Sequence, residues 1–340
     1  MRKLSFAICS FGIFLVAACG DNGSNTTPPD AAAQIDAEAQ VDAMPPQPTV
    51  ERGQYLVDHV AVCTACHTPR NQDGSPDMTN YLAGVECFVD ADPTDDQVGC
   101  LSSRNLTNDP TGLMNRSDAE IKNMFQNGIR PNGDALVPVM PYYVFHNMTD
   151  LDADSIVMYL RTVTGVSHTV PANQAPFTPP AQAAAPFDTA DIPMPATPDA
   201  GKLNGRYLAS MAGVCMECHT KRTSPDPSSL DVANLFAGGE EFPAAGFGLP
   251  VPPFPDIIYS ANITPDPTTG IGSLTAQQIV TIILQGTDAD GNGVCPPMPT
   301  GPMSEFAGID PQDAADIAAY LLDIPAKTAN GVANGCAITP

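Results

Sequence analysis

Basic side chains are scarce in this 340-residue sequence: 14 lysines and arginines stand against 38 aspartates and glutamates, a formal charge of −24. Such a surface repels phosphate backbones, which argues against a nucleic-acid partner and suits a protein partner with a basic face. Apolar runs long enough to enter a membrane are also lacking, except for one at the extreme N-terminus. No segment has the sustained repeat of a long coiled coil, and convincing strand alternation is absent, so a doubly wound sheet has little support. The 27 glycines and 36 prolines instead predict short elements joined by long irregular loops. Hydrophobic residues make up 43% of the chain, enough to build cores, and the length suits about two domains. Ten cysteines need an explanation in any compartment.

The N-terminal run has the form of an export signal. Arg2 and Lys3 precede an apolar stretch interrupted by Ser5, Ser10 and Gly12, which ends in Val16-Ala17-Ala18-Cys19. It is too short to be a stable span. The final box resembles a bacterial lipoprotein signal over residues 1–18, cut before Cys19, which would then carry the lipid. In an ordinary secretory signal Cys19 would be incidental. Residues 19–48 are rich in Asp, Ala, Pro and Gln and nearly devoid of large apolar side chains. They read as a disordered acidic tether, spanning on the order of 30 Å as a flexible coil.

The rest of the chain repeats itself. Gly53-Gln54-Tyr55-Leu56 and Val62-Cys63-Thr64-Ala65-Cys66-His67-Thr68 recur as Gly205-Arg206-Tyr207-Leu208 and Val214-Cys215-Met216-Glu217-Cys218-His219-Thr220. Leu82-Ala83-Gly84 recurs as Phe236-Ala237-Gly238, and Asn105-Leu106-Thr107-Asn108-Asp109-Pro110 as Asn262-Ile263-Thr264-Pro265-Asp266-Pro267. Helix signals recur as well. Ser117 with Glu120, and Thr275 with Gln278, form capping boxes ahead of apolar stripes that stop at Gly128 and Gly286. Thr149 caps a later helix, and Asp310 with Pro311 caps its twin. The expected organisation is two similar domains, residues 49–166 and 200–340, joined by a Pro/Ala-rich extended linker over residues 167–199. The expected fold class is all-α, with about three short helices per domain, long loops and no strands. Units this small need something large and apolar at their centre.

Cys-x-x-Cys-His supplies it twice, far more often than composition alone would give. Two thiols three residues apart on one helical turn can add to both vinyl groups of a haem, and the next residue, His67 or His219, then lies under the iron. A zinc site would need further Cys or His close by, and neither copy has them. A redox dithiol would need a strand-to-helix unit, which the sequence does not suggest. The predicted cofactors are two covalently bound haem c groups, on Cys63 and Cys66 and on Cys215 and Cys218.

At this point the sequence resembles class I c-type cytochrome domains, in particular the cytochromes with an Asn-Ile-Thr-Pro-Asp loop that accompany periplasmic dehydrogenases. The resemblance implies that the haem motif ends a first helix. It also implies that a Met, usually followed by Pro, binds the iron from the other side, just before the last helix. Val137-Pro138-Val139-Met140-Pro141 and Cys295-Pro296-Pro297-Met298-Pro299 fit in register, so Met140 and Met298 are the expected distal ligands. Met303 is the alternative to Met298 and Met148 a weaker one to Met140, while Met114 and Met124 suit packing. His59, His146 and His168 read as packing or surface groups. With Cys9 lost in the signal, Cys19 taken by lipid and four cysteines by haem, four of the ten remain, and the expected disulfides are Cys87–Cys100 and Cys295–Cys336 in an oxidising compartment. Asp288-Ala289-Asp290-Gly291-Asn292-Gly293 matches half a calcium loop, but Pro299 stands where a bidentate Glu is required, so it reads as an acidic turn.

An iron held by His and Met has no open position and exchanges electrons only. The expected function is therefore a di-haem electron carrier, not an enzyme, lipid-anchored on the periplasmic side of a bacterial cell envelope. Its partners would be a dehydrogenase or another cytochrome. Two alternatives differ in chemistry or partner. A di-haem peroxidase would need one displaceable distal ligand. A cytochrome subunit of a membrane dehydrogenase belongs to a group whose members often carry three haems rather than two.

Overall fold

The computed structural model describes residues 46–328, apart from 72, 73, 93 and 96. The signal segment, Cys19, nearly all of the tether and Cys336 lie outside the described residues. The chain is mostly helical with a few short strands, and the elements come twice in the same order. The first series is α1 (Val50–Tyr55, continued by a π-helical turn Leu56–Val60), α2 (Cys63–His67), β1 (Val85–Asp90), β2 (Cys100–Ser103), α3 (Asp118–Asn127), α4 (Tyr142–Phe145) and α5 (Asp150–Leu160). The second is α6 (Ala200–Ser210), α7 (Cys215–Cys218), β3 (Glu241–Pro243), β4 (Ile257–Tyr259), α8 (Ala276–Gln285) and α9 (Pro311–Leu321), with a 3-10 turn, Glu305–Gly308, in the place of α4.

The predicted helix starts and stops are where local chemistry puts them. Ser117 and Glu120 exchange side-chain bonds with each other's backbone N–H, as do Thr275 and Gln278. Gly128 and Gly286 both end their helices at φ 65°, the left-handed region that suits a glycine C-cap. Thr149 accepts from the Asp152 N–H at 3.2 Å, and Asp310 accepts from Gln312 N–H at 2.8 Å. The absence of strands is corrected: β1 pairs antiparallel with β2, and β3 with β4. These strands are three to six residues long and half-exposed, and β1 is irregular between Val85 and Val89. Their order comes from cross-strand pairing, which leaves no clean alternation to read. The Cys87–Cys100 disulfide staples the first hairpin.

In each series the first and last helices cross at a glycine. A Cβ added at Gly53 would lie 1.9 Å from the Ser155 carbonyl oxygen, and one at Gly205 2.0 Å from that of Asp316. Only hydrogen lets the backbones approach so closely.

The two series pack on each other through a reciprocal contact. Tyr55 Oη donates to Asp313 on α9 at 2.6 Å, and its counterpart Tyr207 donates to Asp152 on α5 at 2.6 Å. Each aspartate is also held from its own series, Asp152 by Arg52 at 2.8 Å and Asp313 by Asn204 at 2.8 Å. Residue i of one copy meeting j of the other, and j meeting i, is the signature of two-fold related surfaces. Burial, and then the bond to Asp313, pushes the Tyr55 hydroxyl far above its ordinary value, and burial with Asp152 does the same to Tyr207. Both therefore stay neutral donors. Residues 167–199 are irregular and docked: Gly99 N–H bonds to Ala175 O at 2.7 Å, Phe187 N–H to Tyr143 O at 2.9 Å, and Ala196 N–H to Asp323 O at 2.8 Å.

Candidate functional site

Two crevices stand out, one in each series. The lining of the first includes Cys63, Cys66 and His67 together with Met140 and Pro141. That of the second includes Cys215, Cys218 and His219 together with Met298 and Pro299. The structure thus brings together every cysteine, histidine and Met-Pro pair that the sequence singled out for haem. Met303 is not among them: it is 68% exposed. Met148 is buried in the wall of the first crevice, next to the residues around α5.

The orientation of both histidines is set by the backbone. His67 Nδ1 donates to the Arg104 carbonyl at 2.6 Å, and His219 Nδ1 donates to the Ala261 carbonyl at 2.7 Å. A carbonyl can only accept, so each ring carries its proton on Nδ1 and keeps the Nε2 lone pair for a metal. Burial pushes both imidazoles below their ordinary values, which favours the neutral form a ligand needs. The repeated Asn-Leu/Ile-Thr motif braces those carbonyls. Asn105 Oδ1 accepts from Thr107 N–H at 2.9 Å while its amide reaches Val166 O at 2.8 Å. Asn262 does the same with Thr264 N–H at 2.9 Å and Lys327 O at 2.7 Å.

Burial pushes the Cys63 and Cys66 thiols up to about 12 and Cys215 up to about 11, and holds Cys218 well above its ordinary value, so all four are protonated at neutral pH and none is an activated thiolate. The donor set of two thiols, an Nε2 lone pair and a thioether across an apolar cleft fits haem c better than either rival. The other histidines have structural bonds outside both crevices. His59 bonds to Glu305 O at 2.7 Å, His146 to Asn127 Oδ1 at 2.8 Å, and His168 to Ala83 O at 2.9 Å. In the calcium-like turn, Asp288 Oδ1 accepts from the N–H groups of Asp290 and Asn292 at 2.9 and 2.8 Å, so the carboxylate is used within its own loop. Cys295 is disulfide-bonded; its expected partner, Cys336, lies outside the described residues.

Two features were not visible in the sequence reading. Val60 lies in the wall of the second crevice and Ala61, the next residue, in the wall of the first, so one short segment contributes to both. Arg104 and Arg130 line the first crevice. Their signal was in the repeat itself: at the matching positions the second copy has Ala261 and Asp288.

No family model matches the chain. Its relatives among characterised proteins agree with the resemblance stated above. It is 29% identical over 302 residues to the fructose dehydrogenase cytochrome subunit of Gluconobacter japonicus, covering 84% of this chain and 54% of that protein. It is 28% identical over 249 residues to the alcohol dehydrogenase (quinone) cytochrome c subunit of Gluconacetobacter polyoxogenes, covering 70% and 48%. A diheme cytochrome c-type protein of Cereibacter sphaeroides is 33% identical over 114 residues, 34% of this chain and 33% of that one. The chain spans about half the length of the dehydrogenase subunits it matches. Among the described residues, no helix is long and apolar enough to cross a membrane.

Proposed function

We propose that the chain is a di-haem c-type cytochrome that carries electrons for a dehydrogenase in the bacterial cell envelope, through domains at residues 49–166 and 200–340. The observation that carries this reading is the doubled crevice. Twice, a Cys-x-x-Cys-His segment with its imidazole proton fixed on Nδ1 and a Met-Pro segment line the same cleft. Cys63, Cys66, Cys215 and Cys218 would hold haem c covalently, His67 and His219 would bind iron from one side, and Met140 and Met298 from the other. Haem c so ligated supplies one-electron exchange and leaves no position for substrate. The chain's own residues do the rest. The Arg104 and Ala261 carbonyls hold the imidazoles, and Ile, Leu and Phe side chains give both clefts an apolar lining.

The segment holding Val60 and Ala61, which lines both crevices, supports exchange between the two sites within one molecule. The relatives' names support a dehydrogenase as the partner, and the net charge of −24 suits docking on a basic face. Lipidation at Cys19 would tether the protein to a membrane.

The experiment is direct. Expressed with export and haem maturation, and extracted with acidified acetone, the protein should keep the mass of two haems. Its oxidised form should show the methionine–iron charge-transfer band, and the reduced form should bind carbon monoxide only slowly. A mass without haem would end the proposal. Fast carbon monoxide binding at one site, with peroxide turnover, would move it to the peroxidase class.

A further inference from the structure

Each copy grips the other just beyond its Met-Pro segment. Arg70 and Arg222 hold the same place in the repeat, three residues after His67 and His219. Arg70 reaches out of its own copy. Its Nη2 donates to Glu305 Oε1 at 2.5 Å, on the turn Glu305–Gly308 that follows Met298 and Pro299 in the second copy. His59, also of the first copy, holds the same turn, with Nδ1 donating to the Glu305 carbonyl at 2.7 Å. A Cβ added at Gly308 would lie 2.1 Å from His59 Cε1, so the turn closes on the ring only because residue 308 is glycine. The Glu305 side chain is buried, Arg70 is its ion-pair partner, and its Oε2 has no hydrogen-bond donor. Next in the turn, Phe306 N–H bonds to Pro299 O at 2.9 Å, on the residue after Met298. A continuous path thus runs from Arg70 and His59 in the first copy to the Met298 segment in the second.

The converse contact uses the matching parts. α4 follows Met140 and Pro141 directly, and Val144 N–H bonds back to Pro141 O at 3.0 Å. From α4 the buried Tyr143 donates its hydroxyl to Pro227 O of the second copy at 3.0 Å. Arg222 Nε donates to that same carbonyl at 2.8 Å, while its Nη atoms pair with Glu217 and Glu240. Arg222 therefore fixes the acceptor that Tyr143 uses. Burial, and then the charge of Glu217, pushes the Tyr143 hydroxyl far above its ordinary value, so it stays a donor.

We infer that the two copies brace each other's Met-Pro segments: Arg70 and His59 position Met298, and Arg222, through Pro227 and Tyr143, positions Met140. This rests on the haem reading proposed above, in which both methionines bind iron. A thioether is a weak, uncharged ligand, so its bond to iron depends on how firmly the surrounding groups hold its loop. Neither the turn Glu305–Gly308 nor α4 is long enough to hold its own shape, because a single helical turn is costly to form alone. Removing Arg70 would also leave a buried carboxylate without its counter-charge, which forces the turn to move. The integrity of the second site is thereby tied to first-copy residues that line neither crevice.

The test is Arg70→Gln in the exported two-haem protein. Mass and the methionine–iron band of the wild type come first, so that their absence indicts the haem reading and not the brace. Met140→Leu and Met298→Leu then assign each share of the band and each potential to its site. In Arg70→Gln the Met298 share should largely vanish, that site's potential should drop, and carbon monoxide should bind there several-fold faster. The Met140 share should hold, although Arg70 belongs to its copy. Amide exchange in Glu305–Gly308 should quicken in parallel, and Arg70→Lys should restore most of the band. Tyr143→Phe should give a smaller, converse loss confined to the Met140 share. The brace is overturned if Arg70→Gln spares both shares, lowers both alike or lowers that of Met140 alone, or if Arg70→Lys restores nothing. An intact Met140 share in Tyr143→Phe would overturn its mutual form. Should Arg70→Gln fail to mature, His59→Leu, which removes the second grip and leaves the ion pair, decides by the same rule.

Discussion

The two crevices share a frame and differ in their furniture. Both have a Cys-x-x-Cys-His turn, a histidine locked to a backbone carbonyl, an Asn brace and a Met-Pro segment. Around that frame the first crevice adds polar side chains to its apolar wall, with Arg104, Arg116, Arg130, Asn132 and Asn173 among them. The second is almost wholly apolar, with Ile258, Ile263, Ile271, Ile279, Ile282 and Ile283. The residues proposed to bind haem, and the backbone that orients them, are where the copies agree, because a preorganised site tolerates little displacement. The side chains at the rim are where they differ, because those can tune charge and water access without disturbing the ligands. Two sites of one ligand class can then have different potentials, which gives direction to an electron moving between them.

The largest effects should come from the distal methionines. Met140→Leu and Met298→Leu should each abolish one share of the methionine–iron band, lower one potential and open that site to carbon monoxide, with the other site untouched. Met303→Leu should change neither band nor potential, since its side chain lies in solvent. A band lost in Met303→Leu and kept in Met298→Leu would exchange the two assignments.

Next in size is the helix crossing that both copies share. Gly53→Ala and Gly205→Ala each place a methyl about 2 Å from a main-chain oxygen that cannot move without shifting its helix. Each should cost more than about 3 kcal/mol, at the upper end for overpacking, and by similar amounts. Denaturant melts of the two variants side by side would show whether the frame is equally tight in both. A clear inequality would mean that one copy has slack. Below that comes the staple found only in the first hairpin. Replacing Cys87 and Cys100 by Ser opens a loop of 13 residues in sequence separation and should cost about 3 kcal/mol or somewhat less. The loss should be read in exchange protection of the β1–β2 hairpin and leave β3–β4 unchanged.

What could be read from the sequence follows from how local each signal is. Capping boxes, C-cap glycines and Cys-x-x-Cys-His lie within a few residues, so α3, α5, α8, α9 and both thiol pairs were legible. Met298 was chosen over Met303 by register alone. The hairpins were missed because their order lies in pairing between segments, as with Glu241 opposite Tyr259. That Arg104 and Arg130 line one crevice was hidden because they sit in separate loops, which only the fold brings together. The docking of the two copies was hidden for the same reason, with Tyr55 and Asp313 separated by 258 positions.

That docking gives the smallest effect and the finest comparison. Tyr207→Phe removes one of several donors to a buried Asp152, which keeps Arg52 on both carboxylate oxygens at 2.8 and 2.9 Å. Tyr55→Phe leaves Asp313 with the neutral Asn204, but that carboxylate is only half-buried, and water can replace the lost hydroxyl. Each should therefore cost about 1 kcal/mol, the net worth of an ordinary hydrogen bond. The two contacts share no residue, so the double variant should cost close to the sum of the singles. A double loss well beyond that sum would mean the two copies dock cooperatively, with either contact able to hold the pair together. The segment holding Val60 and Ala61, which lines both crevices, would then depend on both tyrosines, and electron exchange between the sites should slow only in the double variant.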